Sequence, residues 1–477
     1  MVSRLLVALA VAGWIGCSAR GPGTKPPTVD AADAALLDDL ERRTFDFFWQ
    51  TANPSNGLVP DRAPTPAFSS IAAVGFALTA YPIGVERGYV SRGDARRRVL
   101  TTLRFFRDAP TGDQQQGVTG YKGFYYHFLD MQTGLRFQDT ELSTIDTALL
   151  LGGVMFCASY FDGAEPEEVE VRRLADTLLG RTEWTWSQAR SPGIAMGWTP
   201  EHGFLAYDWI GYNEAMIVYL LALGSTSFPV QPAAWQLWTS KYDQTWVAHS
   251  GQVYLGFPPH FGHQYSHVWV DFRGIQDSYM RQRGIDYFEN SRRATYAQRA
   301  YAIANPAHWK DYGENVWGLT AGDGPGDIER EFGGRARKFR GYEARGIGSW
   351  GDGTPAVDDG TLAPTAMLAS LPFAPEIVLP GLRELRKRYG ADIYGTWGFV
   401  DGFNPSFTFP GVSSQGPITA TAGWAGKDYL GIDQGPILAM VDNYRSELVW
   451  RVMRKSAYLR RGLQRAGFSG GWLGAAP

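Results

Sequence analysis

Three groups of acidic side chains stand where a carboxyl group is either structurally expensive or chemically useful. Glu214 lies in Trp209-Ile-Gly-Tyr-Asn-Glu-Ala-Met-Ile-Val-Tyr, at the first turn of a strongly apolar predicted helix and just after the flexible Gly211 and Asn213. An acid there can simply favour the positive end of the helix dipole. Its aromatic and apolar flanks also predict a raised pKa, which suits a general acid. A second group is Asp139-Thr-Glu-Leu-Ser-Thr-Ile-Asp146, followed by the apolar run Thr147 to Phe156. Glu141 reads as an N-cap or first-turn acid as readily as a site residue. Asp146 lies deeper, in a helix that must be buried on most of its circumference, where charge is costly unless paired or used. The third, Asp401, lies in Trp397-Gly-Phe-Val-Asp-Gly-Phe-Asn, a loop in which Asp is also common for turn formation. Two carboxyls flanking a bond are what glycoside hydrolysis requires: one protonates the leaving oxygen, and the other activates water or attacks the anomeric carbon. Glu314, Asp323 and Asp433, in further glycine- and aromatic-rich loops, read equally as acceptors for sugar hydroxyls or as loop braces.

The composition fits the same chemistry. With 17 Trp, 23 Tyr and 26 Phe, aromatic residues make up 14% of the chain, more flat amphipathic surface than a core requires and well suited to the apolar faces of sugars. A net charge of −3 gives no electrostatic reason to expect a nucleic-acid partner, which needs clustered positive charge. His260-Phe-Gly-His-Gln-Tyr-Ser-His267, with Asp271 following, admits a metal reading, because zinc binding would need these histidines to converge with a fourth donor. The other reading is an aromatic, polar loop beside a substrate.

The elements that must position these residues are helical. From Ala31 onward the pattern is helical periodicity broken by Gly/Pro/aromatic loops, with no sustained alternation of the kind that marks a sheet. It predicts about a dozen helices, among them Ala31 to Ala52, Ser69 to Arg87, Ser91 to Arg107, Thr140 to Tyr160, Pro166 to Trp184, Asn213 to Leu223, Ala233 to Val247, Gly274 to Ala304 and Gln434 to Trp450. Paired helices joined by alternately short and long loops are what a ring of helical hairpins needs. The long segments 108–139, 187–212, 253–273, 307–360 and 390–433 exceed plain connectors and are the expected carriers of function. Aromatics from Tyr121 to Tyr126 and Trp209 or Trp317 are expected to line the cleft. No linker or charge block follows residue 30, so residues 31–477 read as one catalytic domain.

Ahead of that domain, Arg4 precedes an apolar run from Leu5 to Ile15 that is too short to span a bilayer and ends at Gly16-Cys17. This resembles a signal peptide (residues 1–17) with the lipobox of bacterial lipoproteins, in which Cys17 would carry the lipid. Trp14 departs from the usual aliphatic residue. Residues 18–30 read as a flexible tether. The expected location is the periplasm or the outer membrane. Cys157, in an apolar stretch, is then the one remaining thiol and reads as a small buried hydrophobe.

Six strings, Tyr125-Tyr-His-Phe-Leu129, Ser143-Thr-Ile-Asp-Thr147, Gly211-Tyr-Asn-Glu-Ala215, Ser266-His-Val-Trp-Val-Asp-Phe-Arg273, Trp317-Gly-Leu-Thr-Ala321 and Ile432-Asp-Gln-Gly-Pro436, occur in order between about Leu36 and Trp450. Together they resemble the glucoamylase-like family that contains glycoside hydrolase family 144. The resemblance implies an all-α fold, an (α/α)6 barrel, and endo-acting, inverting β-1,2-glucanase activity without a metal or other cofactor. It implies Glu214 as general acid, Asp401 on the base side and Asp146 in the catalytic pocket. The substrate contacts expected with it are Glu141, Tyr125, His127, Trp209, Tyr212, His267, Asp271, Arg273, Glu314, Trp317 and Asp433, in a monomer whose partner is a glucan or its oligosaccharides. Tyr212-Asn213 departs from the more usual Tyr-Asp before the acid. A non-catalytic glycan-binding lipoprotein would use the same rings and scaffold, but has no need of a positioned proton donor. Other glucan linkages and an exo mode stay open.

Overall fold

The computed structural model describes residues 30–411, 413 and 415–474, so the leader expected over residues 1–17, with Cys17, lies outside the described residues. Helices carry the architecture, and they are of two kinds. Ile71–Glu86, Thr144–Tyr160 and Met216–Gly224 are apolar and buried around nearly their whole circumference, as interior helices are. Arg92–Asp108 and Pro166–Arg181 bury one face each and turn their charges outward. Ser70, Ser91 and Ser143 open three of these helices and Asp30 opens Ala31–Thr51, each side chain accepting a hydrogen bond from the N–H three residues on, which satisfies a donor the first turn leaves free.

The interior helices pack on one another and the amphipathic ones pack outside them. Ile71–Glu86 lies against Thr144–Tyr160 and Gly431–Arg445, while Arg92–Asp108 covers Ile71–Glu86 and pairs with Pro166–Arg181. Two glycines set the closest approach. A Cβ on Gly75 would lie 2.3 Å from the Leu149 carbonyl oxygen, and one on Gly153 would lie 2.1 Å from that of Gly75; the two backbones meet where neither residue can carry a side chain. Ala31–Thr51 rests on both Ile71–Glu86 and Gly431–Arg445, so the first described helix is locked to one of the last.

Several predicted helices break where the backbone turns left-handed. Gly274 to Ala304 is two helices, Ser278–Arg283 and Tyr287–Ala304, separated at Gly284 with φ +72°. The helix predicted from Gln434 begins earlier, at Gly431, and stops at Arg445; Glu447, with φ +55°, precedes a separate helix Leu448–Met453. Ala233 to Val247 is helical over Ala233–Thr239 and Tyr242–Thr245, then turns into a strand, Trp246–His249, paired antiparallel with Gln252–Leu255.

Helices dominate, as expected, and the loops between them add short strands. These form short antiparallel sheets, the largest having five strands in the order Gly120–Tyr121, Phe124–Tyr126, Leu142–Ser143, Gly197–Thr199 and Gly203–Phe204. Strands of two or three residues leave no alternation to read in a sequence. Their effect is positional: His127 follows one strand, and Ser143 ends its neighbour, with Asp146 just beyond it.

Candidate active site

One cavity, of about 200 Å³, gathers four of the ionisable side chains singled out above; Asp146, Glu214, His127 and Asp433 line it together with Phe261, Tyr265, Gly322 and Tyr342. Its ionisable groups form two sets.

The first set is organised by His127. Its N–H bonds to the Glu141 carbonyl at 2.9 Å, its Nδ1 lies 3.0 Å from Glu141 Oε1, and its Nε2 lies 3.5 Å from Asp146 Oδ2. Burial works against the charged ring, yet Asp146, Glu141 and Asp61 together push its pKa up to about 9. Glu141 in turn is held below the ordinary carboxylate range, its burial outweighed by the bond to His127 and the charges of His127 and Arg136. Asp146 accepts from the hydroxyl of the helix cap Ser143 at 2.5 Å. Glu214 stands apart from every cation here. It precedes rather than begins the helix Met216–Gly224, at a bend where Asn213 Oδ1 accepts from the N–H of Ala215 at 2.9 Å. Ser266 fixes its backbone, the hydroxyl donating to the Glu214 carbonyl at 3.2 Å and accepting from the N–H of Ile217 at 3.1 Å. Its Oε2 is buried with no hydrogen-bond partner among the described residues. Burial, and after it the charge of Asp146, raise the Glu214 carboxyl to about 7, against the opposing pull of its own backbone N–H.

The second set is a chain of carboxyls held by arginine. Asp433 lies in the first turn of Gly431–Arg445, not in the loop expected for it. Its carboxyl is pushed well above the ordinary range, by burial first and then by Asp401, with which it shares a hydrogen bond. Asp401 is raised to about 6 by burial and the charge of Asp323, while the bond from Asp433, the N–H of Asp323 at 2.5 Å and the charge of Arg62 pull it down. It sits directly behind the cavity wall, since a Cβ on Gly322 would lie 2.9 Å from Asp401 Oδ1. Arg62 bridges Asp323, at 2.6 Å, and Asp61, at 3.1 Å. Arg345, fully buried, anchors the assembly. Its guanidinium pairs with Asp359 at 2.7 Å and donates to the carbonyls of Gly322, Arg340 and Gly341, so one side chain fixes both the Gly322 wall and the backbone leading into Tyr342. Tyr265 lies between the sets, its hydroxyl held protonated by burial and by the charges of Asp433, Glu214 and Asp146.

The structure leaves the other expected contact residues elsewhere. Tyr125 is buried with its hydroxyl on the Phe106 carbonyl at 3.2 Å. Trp209 is buried and donates from Nε1 to Thr144 Oγ1 at 2.9 Å, bracing the helix that carries Asp146. Tyr212 and Trp317 are core residues. His267 accepts or donates at Ser291 Oγ, 3.0 Å away. Asp271 and Arg273 pair with each other at 2.8 Å, and with Arg454 and Glu447; both are buried away from the cavity. Glu314 is exposed on the surface, paired with Arg299. The aromatics lining the cavity are thus Phe261, Tyr265 and Tyr342, not those of residues 121–126, 209 or 317, because the latter rings are consumed by packing. The three clustered histidines diverge: His260 faces Ser370 and Thr295, His267 faces Ser291, and His263 packs on Tyr212. Burial holds all three below the ordinary imidazole range, and among the described residues no three acidic, histidine or cysteine side chains converge on a metal-sized point. Cys157 is buried, its Sγ 3.0 Å from the Leu78 carbonyl oxygen. Sequence reading missed Asp61, Arg62, Tyr265, Tyr342 and Arg345. For Tyr342 the available signal was its place in the long segment 307–360.

A family profile described as "Glycoamylase: Putative glucoamylase" matches residues 206–457. Among curated proteins, the "Exo beta-1,2-glucooligosaccharide sophorohydrolase (non-reducing end)" of Parabacteroides distasonis is 26% identical over 470 residues, covering 92% of this chain. The chain spans 58% of the length of that relative. Among solved structures, one described as a "putative glucoamylase" from Bacteroides uniformis is similar with a TM-score of 0.78 and 30% identity, over 93% of this chain and 99% of that one. The endo-beta-1,2-glucanase of Chitinophaga pinensis, in complex with sophorotriose and glucose, is similar with a TM-score of 0.77 and 25% identity, over 92% of this chain and 99% of that one.

Proposed function

Since the chain belongs to the glucoamylase-like family, we propose that it is a glycoside hydrolase of β-1,2-glucan, working by inversion with Glu214 as general acid and Asp401 as general base. The observation that carries this reading is the contrast between the two carboxyls. Glu214 has no cation beside it and a raised pKa, so it holds a proton near neutrality and can deliver it to a leaving glycosidic oxygen. Asp401 receives a backbone N–H, a carboxyl donor and the charge of Arg62, all of which favour its ionised form and suit it to activating water. Asp146 and His127 belong to the acid's side of the cavity, Asp433 to the base's side. A cavity with an aromatic wall and few ionised groups facing inward fits a neutral sugar. The relatives from Parabacteroides distasonis and Chitinophaga pinensis, described as acting on β-1,2-linked glucose chains, support the choice of linkage, and the interior and outer helices support a closed (α/α)6 ring. For the chain's export, the support is the Gly16-Cys17 sequence.

Endo cleavage is the first reading of the mode. Release of disaccharides from a chain end is the second, favoured by the activity of the Parabacteroides distasonis relative. Linear β-1,2-, β-1,3-, β-1,4- and α-1,4-glucans, with product lengths and anomeric form resolved over time, test the proposal. Cleavage of the β-1,2 chain to mixed lengths with an inverted anomer is the expected result. Disaccharide from the first time point selects the exo mode, and turnover only of another linkage overturns the substrate reading.

A further inference from the structure

A second cavity, of about 350 Å³, is walled by the hairpin Trp246–Leu255 on one side and by residues 347–351 with Gly353 on the other. It falls within the roughly 300–1,000 Å³ of ordinary small-molecule sites. Its lining has no acidic, lysine or arginine side chain. Rings and small neutral polar groups make it up instead: Trp350, Phe257, Tyr254 and His249, with Gln244 and Ser349. Such a surface can stack on a sugar and bond its hydroxyls, and it has no group with which to break a glycosidic bond.

This cavity shares its framework with the carboxylate pocket. Phe257 in its wall packs edge-on against Phe261 of the carboxylate pocket, with ring centroids 5.8 Å apart, and against Trp350 at 5.6 Å. The loop bearing Trp350 is sewn to the same strip, the N–H of Ile347 bonding to the Pro258 carbonyl at 3.3 Å. A Cβ on Gly346 would lie 2.3 Å from the Pro258 carbonyl, so this seam admits no side chain. That loop begins at Arg345, which also fixes the Gly322 wall. Resting on the proposed hydrolase function, we propose that the second cavity is a non-catalytic binding site for neutral glucosyl units of the same chain whose scissile bond lies in the carboxylate pocket.

Two variants test it. Trp350→Ala removes the stacking ring. Gly351→Leu fills the space, since a Cβ there meets only Thr245 Cγ2, at an ordinary 3.8 Å, and its φ is not left-handed. Each should lower kcat/KM on long β-1,2-glucan by about tenfold, the scale of one lost aromatic contact, and leave kcat/KM on the shortest oligosaccharide the parent cleaves unchanged. Equal loss on long and short substrates, or no loss on either, overturns the proposal. Should the parent cleave no β-1,2-glucan, the functional reading fails by itself. The cavity is then judged by electrophoresis of parent and Trp350→Ala in gels containing β-1,2-glucan: retardation of the parent that the variant loses keeps the site, and equal mobility overturns it.

Discussion

Asp433 donates a carboxyl proton to Asp401, and both side chains are buried. The shared proton makes Asp401 easier to ionise than burial alone would, and on the proposed mechanism it should set the acid limb of activity. With Asp401 near 6 and Glu214 near 7, turnover should rise as Asp401 loses its proton and fall as Glu214 loses its own, giving a narrow bell between those values. Asp433→Ala removes the donor, so the lower limb should move to higher pH and the bell contract. A kcat/KM profile with an unmoved lower limb would exclude this coupling.

Glu214→Gln keeps the shape of the side chain and removes the proton that the proposed mechanism transfers, while Asp401→Asn removes its proposed base. Each should cost about 10² to 10⁴ in turnover on the glucan, with binding retained. On an accepted aryl glycoside with a good leaving group, Glu214→Gln should lose less rate than Asp401→Asn, because departure then needs less help from an acid. Near-normal turnover in both variants would refute the assignment.

His127 is a cation beside Asp146, the carboxylate whose charge adds to burial in raising Glu214. It holds Asp146 at 3.5 Å, and the negative charge of Asp146 is one of the causes that raise Glu214. His127→Gln leaves Asp146 without that cation, so the alkaline limb should move upward by roughly half a pH unit or more. A purely packing role for the imidazole predicts a loss of rate with the limb unmoved.

The acids were legible in the sequence because a carboxyl inside an apolar or aromatic run is a conflict with an identifiable cost, and the structure brings Asp146, Glu214, Asp401 and Asp433 to or directly behind one cavity. The aromatic strings were legible only as strings. A ring that packs and a ring that waits for a sugar have the same letter, and Tyr125, Trp209, Tyr212 and Trp317 all pack. Asp271 and Arg273 answer each other two residues apart, a brace that resembles a site when read one letter at a time. Arg62 was invisible because its partner Asp323 lies 261 residues away. The longer interior helices, Ile71–Glu86 and Thr144–Tyr160, were legible because an apolar run of 16 or 17 residues is too long for a strand, whereas two-residue strands leave nothing to detect.

Arg345 carries a stability prediction. It is fully buried on Asp359 and on four carbonyls from two segments. Arg345→Met leaves that carboxylate uncompensated, which should destabilise the protein by about 3–5 kcal/mol, read from urea unfolding midpoints. Arg345→Lys, with one point charge in place of a planar fork, should recover only part of the loss. A midpoint unchanged in Arg345→Met would show that the clamp contributes nothing.

Cys17 carries the export prediction. If the Gly16-Cys17 sequence is a lipobox, Cys17→Ser should release the protein from membranes or block its processing, as fractionation and intact mass would show. Membrane association unchanged in the variant would exclude lipidation there.

The contact of Ala31–Thr51 with Gly431–Arg445 has a consequence for the order of events during synthesis. A ribosome delivers the first described helix long before Gly431–Arg445, so in a nascent chain Ala31–Thr51 has only Ile71–Glu86 of its two helical supports while several hundred further residues are made. Until the later helix emerges, Asp433 is missing as well, and Asp401 lacks its proton donor. A ribosome that stalls anywhere upstream therefore yields a product that is both sticky and catalytically silent, and premature stop codons in this coding sequence should behave as complete nulls wherever they fall before that helix.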